Sequence, residues 1–242
     1  MRILLLCLCM LSVCEVRQAS ARDPTAARER MVETIEALGR RIPLPSGPEE
    51  IDPSILAVMR QVPRHELVPA DIRDQAYEDR PLPIGYGQTI SQPYIVALMT
   101  HLARPAKHHV VLEVGTGSGY QAAVLSPLVA RVFSIEIVEP LANRAADRLR
   151  QLGFHNVSVR QGDGYKGWPE HGPFDSIVVT AGASHIPQPL IDQLKPGGRM
   201  VIPVGGPSTT QSLTLVEKDE RGNAQTRTLL PVRFVPLTGD NP

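Results

Sequence analysis

Val110-Val111-Leu112-Glu113-Val114-Gly115-Thr116-Gly117-Ser118-Gly119 restricts the fold more than any other stretch of this chain. A short apolar run passes directly into three alternating glycines, and residues 121–128 beyond them have helical character. Glycine adopts positive φ freely and lets a ligand approach the backbone closely. A strand that enters such a turn and leaves as a helix is the opening unit of an α/β sheet. The same alternation then repeats. Residues 132–137, 157–161, 174–180 and 199–204 read as strands, and residues 139–152 and 187–194 as helices, the latter ended by Pro196-Gly197-Gly198. Residues 212–216 and 226–234 are two later strands with Gly222 in the turn between them. The pattern predicts a doubly wound, mostly parallel sheet with helices on both faces and an antiparallel C-terminal edge.

The segment before the sheet is helical and loop-rich. Residues 25–38 carry apolar side chains at helical spacing up to Gly39, and residues 43–48 form a loop. Asp52 is placed as an N-cap with Pro53 at the first helical position, opening a helix to about residue 61. Residues 80–92, dense in Pro and Gly, are expected to be irregular, and 94–102 helical. Residues 1–21 read as a leader. Arg2 precedes an apolar run over residues 3–14, and Ala19-Ser20-Ala21 offers a small-x-small cleavage site. A start codon set upstream of Met31 is the alternative. Residues 22–242 form one domain, with a helical and substrate-loop part (22–105) and a cofactor-binding sheet (106–242).

Composition removes several functions. Lys plus Arg equals Asp plus Glu at 25 each, so no net field steers the chain toward nucleic acid. Aromatic residues make up 4%, too few for a base-stacking platform. The three cysteines, Cys7, Cys9 and Cys14, all lie in the leader, which leaves the domain without a thiolate nucleophile or a cysteine metal site. The seven histidines lack metal-ligand spacing and read as structural or surface residues. His108 and His109 are expected to point opposite ways on a strand.

Three acids stand near the ends of successive strands. Glu113 lies two residues before Gly115, Glu136 near the end of the second strand, and Asp163 in Gly162-Asp163-Gly164 after the third. The GxGxG spacing differs from the GxGxxG of dinucleotide enzymes. A carboxylate at Glu136 suits a pair of ribose hydroxyls, and Asp163 suits an adenine amino group, with Gly164 leaving room for the ring. Plain alternatives are a tight βα turn, a solvated Glu and an ordinary Asp-Gly turn.

Ala76-Tyr77-Glu78-Asp79-Arg80-Pro81-Leu82-Pro83-Ile84-Gly85-Tyr86-Gly87-Gln88-Thr89-Ile90-Ser91-Gln92-Pro93-Tyr94 strongly resembles the signature of the protein-L-isoaspartate O-methyltransferase family. Val62-Pro63-Arg64-His65-Glu66-Leu67-Val68-Pro69, Gln193-Leu194-Lys195-Pro196-Gly197-Gly198-Arg199 and Ile202-Pro203-Val204-Gly205 resemble further elements, so the similarity spans roughly residues 31–235. The resemblance implies a Rossmann-like methyltransferase domain with S-adenosylmethionine as cosubstrate and no metal. Glu113, Gly115, Thr116, Gly117, Gly119, Glu136, Asp163 and Gly164 would hold the cosubstrate, with Glu113 at its cationic methionine end. It further implies that Thr89, Ile90, Ser91 and Gln92 hold the free α-carboxylate of an L-isoaspartyl residue in a damaged protein, with Ser91 the catalytic residue, and that Val204 and Gln211 line the peptide's groove. From local pattern alone, Ser91 also sits where an N-cap for the 94–102 helix belongs.

Such chemistry needs few groups. A carboxylate is ionised at neutral pH, so no general base is required. Rival readings are a small-molecule methyltransferase of the same fold, a nucleotide-dependent oxidoreductase and a non-enzymatic binding module. A monomer is expected, without nucleic-acid or membrane partners. The cytoplasm is favoured as its compartment, with export through a leader cleaved after Ala21 as the alternative.

Overall fold

The computed structural model describes residues 24–42, 50–206 and 210–239. The expected leader and the 43–48 loop lie outside the described residues. The chain starts with α1 (Pro24–Arg41) and α2 (Pro53–Met59), followed after two 3-10 turns by the hairpin β1 (Leu82–Gly85) and β2 (Gln88–Ile90), then α3 (Pro93–Ala103). Asp52 caps α2 as expected: its carboxylate accepts from the Ser54 amide at 2.8 Å. α1 runs past Gly39, because Met31, Val32 and Ile35 bury its inner face and Gly39 is itself buried.

β3 (Val110–Val114), α4 (Tyr120–Leu125), β4 (Arg131–Glu136), α5 (Glu139–Gln151), β5 (Val157–Gln161), β6 (Phe174–Val179), α6 (Gln188–Asp192), β7 (Leu194–Val204), β8 (Gln211–Lys218) and β9 (Ala224–Val232) complete the described α-helices and strands. The sheet order is β5-β4-β3-β6-β7-β8-β9. β3 to β7 are mutually parallel, and β8 and β9 join antiparallel. The chain moves outward from β3 through β4 to β5, then returns to place β6 on the other side of β3. Ligands of open α/β sheets bind at such a reversal, beyond the carboxyl ends of the strands.

Both faces of the parallel strands are covered. Val111, Val132 and Val178 pack on the side of α1 to α5, whereas Leu112, Phe133, Ile177 and Val179 pack with Tyr165 and Leu190 on the other. Such strands read as continuous apolar runs, which is why they were legible in sequence. α3 buries residues around most of its circumference, including Val96, Leu98, Met99 and Leu102. A helix apolar all round belongs in a core. Its N-terminus is therefore a firm mount for the loop that precedes it.

Three expectations need correction. Residues 80–92 are not irregular but form the β1–β2 hairpin, turned by Gly85, Tyr86 and Gly87, all at positive φ. β7 starts at Leu194 and runs through Pro196-Gly197-Gly198, where its pairing with β6 shifts register. His108 and His109 precede β3 in a turn, and their rings meet edge to face with centroids 4.7 Å apart.

Candidate active site

Beyond the carboxyl ends of β3, β4 and β6 lies a cavity whose wall includes Thr89, Ile90, Ser91, Glu113, Gly115, Thr116, Gly117, Glu136, Gly164 and Thr180. Residues far apart in sequence, the acceptor loop and the glycine turn, thus share one space.

The turn is held in place from several sides. Gly115, Gly117 and Gly119 have φ of 98°, 52° and 86°. A Cβ on Gly115 would lie 2.5 Å from Thr180 Oγ1. That hydroxyl donates to the carbonyls of Val114 and Gly115, at 3.0 and 2.5 Å. Glu136 grips the turn from the next strand: its Oε2 accepts from the Gly117 amide at 2.7 Å and its Oε1 from the Val138 amide at 3.0 Å. Each oxygen keeps a second lone pair for a ligand hydroxyl. Gly119 lies behind the wall, where a Cβ would press on Leu149 at 3.1 Å.

Glu113 is fully buried beneath the turn. Its Oε2 accepts from the Ser134 hydroxyl, which also meets Thr116 Oγ1 at 2.5 Å. Burial pushes its pKa from 4.5 up to about 8; the Ser134 hydroxyl and the Ala122 amide oppose this in part, and the charge of Glu136 adds to it. Its other oxygen makes no well-formed hydrogen bond, and neither does the buried Gln121 Oε1, whereas the Tyr120 hydroxyl is directed toward the Arg64 guanidinium. All three residues line the cavity. Buried polar atoms seldom stay unpaired, so this wall fits a ligand that brings its own donors. A carboxyl beside unpaired oxygens suits an ammonium group, as at the methionine end of S-adenosylmethionine.

A second cavity, a groove of about 420 Å³, lies outside the first. Pro81, Gln92, Ile95, Thr210 and the segment 231–235 line it, and Thr89, Ser91, Thr180 and Val235 belong to the walls of both cavities. Ser91 does not cap α3. The cap comes from Asp79, whose Oδ1 accepts from the Tyr94 amide at 2.8 Å while its Oδ2 accepts from Gln92 Nε2 at 2.9 Å. The Ser91 hydroxyl is thereby left to the cavities.

Besides Gly119, three expected site residues stand back from both cavity walls. Asp163 accepts from the Tyr165 amide at 2.9 Å and packs so closely on Gly239 that any Cβ there would overlap its carboxylate. Gln211 is buried and clamps Phe234, accepting from its amide at 2.8 Å. Val204 bridges Ala183. Sequence reasoning missed Tyr120, Gln121, Ile137, Thr180 and the tail 235–238, all on the first cavity's wall. The first two follow the glycine turn directly and were findable. The tail is brought in by Gly182, whose amide donates to Val235 O and whose carbonyl accepts from the Leu237 amide, both at 2.8 Å. No local pattern signals that.

The switch-point crevice, the glycine turn and the buried acid beneath it define an S-adenosylmethionine-dependent methyltransferase. The family model described as protein-L-isoaspartate(D-aspartate) O-methyltransferase matches residues 50–242, and the chain belongs to that family. It is 63% identical over 221 residues to protein-L-isoaspartate O-methyltransferase 2 of Syntrophobacter fumaroxidans, covering 91% of this chain and 90% of that one. It is 59% identical to protein-L-isoaspartate O-methyltransferase 1 of Cupriavidus necator, covering 91% and 86%. Among solved structures, a protein-L-isoaspartate O-methyltransferase superposes with a TM-score of 0.76 at 30% identity, over 88% of this chain and 66% of that one.

Proposed function

We propose that this chain transfers a methyl group from S-adenosylmethionine to the free α-carboxylate that an L-isoaspartyl linkage exposes in a damaged protein. The observation that carries this reading is the wall shared by the two cavities. A cosubstrate in the inner cavity and a polypeptide in the outer groove would meet across Thr89, Ser91, Thr180 and Val235.

When bound, the cosubstrate supplies a methyl already activated by its sulfonium. The protein's part is placement. Glu113 and Gln121 offer unpaired oxygens to the amino end, Glu136 its free lone pairs to the ribose hydroxyls, and Gly164 its backbone to the base. Asp163 acts on the base only through Gly164 and Tyr165, whose turn it caps. Thr89, Ile90 and Ser91 hold the acceptor carboxylate, with the Ser91 hydroxyl its donor. Orienting two reactants in this way is worth roughly 7–11 kcal/mol of barrier. Gln211 supports the groove from behind by holding Phe234.

Among the described residues no helix is long and apolar enough to cross a membrane. We read the protein as a cytoplasmic monomer, which N-terminal sequencing from the native cell and ultracentrifugation would test. The activity is tested with labelled cosubstrate and a matched pair of peptides. The isoaspartyl isomer is expected to accept label and the aspartyl isomer to remain unlabelled. Label on neither peptide, with transfer to a small molecule instead, would replace this reading by that of a small-molecule methyltransferase.

A further inference from the structure

Ser91 lies on a loop, yet transfer between two cavities requires its hydroxyl to stay within a fraction of an ångström of one position. The restraint starts at Arg64. This side chain is fully buried, its guanidinium 4.6 Å above the Tyr120 ring on the wall of the inner cavity. Its Nε donates to Ala76 O at 2.6 Å and its Nη2 to Arg80 O at 3.5 Å. The backbone from residue 76 to residue 80 is thus wrapped round a buried cation. Asp79 lies in that segment. Its two oxygens reach Gln92 Nε2 and the Tyr94 amide, one on each side of Pro93 and immediately after Ser91. Burial draws the Arg64 pKa down to about 10, with Tyr120 and Asp79 opposing the fall, so the cation persists at neutral pH.

We infer that Asp79 is a positioning residue for methyl transfer: mounted on the Arg64 cation, it fixes Gln92 and the start of α3, and so holds Ser91 at the wall shared by the two cavities. Arg64 links the same strut to the cosubstrate side through Tyr120. Gln92, expected to bind substrate and part of the outer groove's wall, also serves as the handle by which the loop is held. The inference rests on the proposed activity.

Wild-type protein is first assayed with the isoaspartyl peptide; failure there counts against the activity and not against the strut. In Asp79→Asn the Oδ1 atom still caps Tyr94, but the negative charge beside the Arg64 cation is lost and Gln92 must turn its amide over to accept from the new Nδ2, which shifts the handle. The expected result is a fall in kcat of about 10–100-fold, the size produced by misplacement near 1 Å, with calorimetric affinity for S-adenosylhomocysteine within twofold of wild type. Gln92→Glu alone sets two carboxylates face to face and is expected to lose kcat similarly. The double variant D79N/Q92E pairs amide with carboxylate again and should recover most of the loss, which a merely structural role would not produce. The inference is overturned if D79N keeps full kcat, if S-adenosylhomocysteine affinity falls as far as kcat, or if D79N/Q92E binds S-adenosylhomocysteine normally without recovering activity. Should D79N not fold, Gln92→Leu, which leaves the Asp79 cap in place, carries the same expectation, and unchanged kcat in it is equally decisive.

Discussion

Replacing Glu113 by Gln should stabilise the protein without its cosubstrate and impair it with one. A folded-state pKa raised from 4.5 to about 8 corresponds to roughly 5 kcal/mol. Below pH 4.5 the carboxyl is protonated in both the folded and unfolded chains, and no penalty arises. As pH rises toward 8 the folded protein must hold a proton that the unfolded chain has released, and stability falls. The Glu113→Gln variant has no such proton to hold. Its unpartnered amide offsets about 1–3 kcal/mol, so at pH 8.5 the variant gains about 2–4 kcal/mol, or roughly 5–15 °C in melting temperature for a chain of this size. The cosubstrate closes most of that gap. A charge-assisted hydrogen bond to its ammonium is worth about 1.5–3 kcal/mol, so affinity should fall about 10–150-fold. At a ligand concentration 100 times the wild-type Kd, the wild type gains about 2.7 kcal/mol and a hundredfold weaker variant well under 1. Scanning calorimetry with and without S-adenosylhomocysteine reads both effects. Titration calorimetry at pH 6.5 in buffers of different ionisation enthalpy should show wild type releasing close to one proton on binding and the variant almost none. Binding without proton release in the wild type, together with an apoprotein no less stable than the variant at pH 8.5, would show that Glu113 is ionised before ligand arrives and would refute the argument.

Three further outcomes are expected. Ser91→Ala should lower kcat far more than it lowers S-adenosylhomocysteine affinity, because its hydroxyl belongs to the shared wall and caps nothing; equal losses would move it into the cosubstrate site. Gly115→Ala meets both a φ of 98° and the Thr180 hydroxyl, so a loss of about 2–4 kcal/mol in chemical denaturation is expected, and a loss under 0.5 would show that the turn yields easily. Asp163→Ala removes a cap worth about 1 kcal/mol and should weaken cosubstrate affinity through the displaced Gly164; unchanged affinity by calorimetry would leave Asp163 with a structural role alone.

The parallel half of the molecule was readable because its central strands β3, β4 and β6 are buried on both faces, so Val111, Val132 and Val178 announce themselves as apolar runs next to turn residues. The hairpin was not. Pro81 and Pro83 argue against a strand in any local reading, and β1 forms only because Leu82 and Ile84 are buried against the helical side of the core. The cap of α3 was misassigned for a related reason. Ser91 is the nearest side chain of the right type, but Asp79 reaches the same amide from fifteen residues earlier, and capping rules based on neighbours cannot see that. Glycine and acid positions in the turn were legible from spacing; the residues that complete the wall, Thr180 and the tail, depend on strand order.

The tail also has a meaning in time. Because Val235 and Leu237 join the cosubstrate's enclosure by bonding to Gly182, the ribosome must pass beyond β9 before the site can close. Until those residues emerge, a nascent chain owns the glycine turn and the acceptor loop but not the shell round them. The pocket thus cannot be whole until every strand of the sheet has been made.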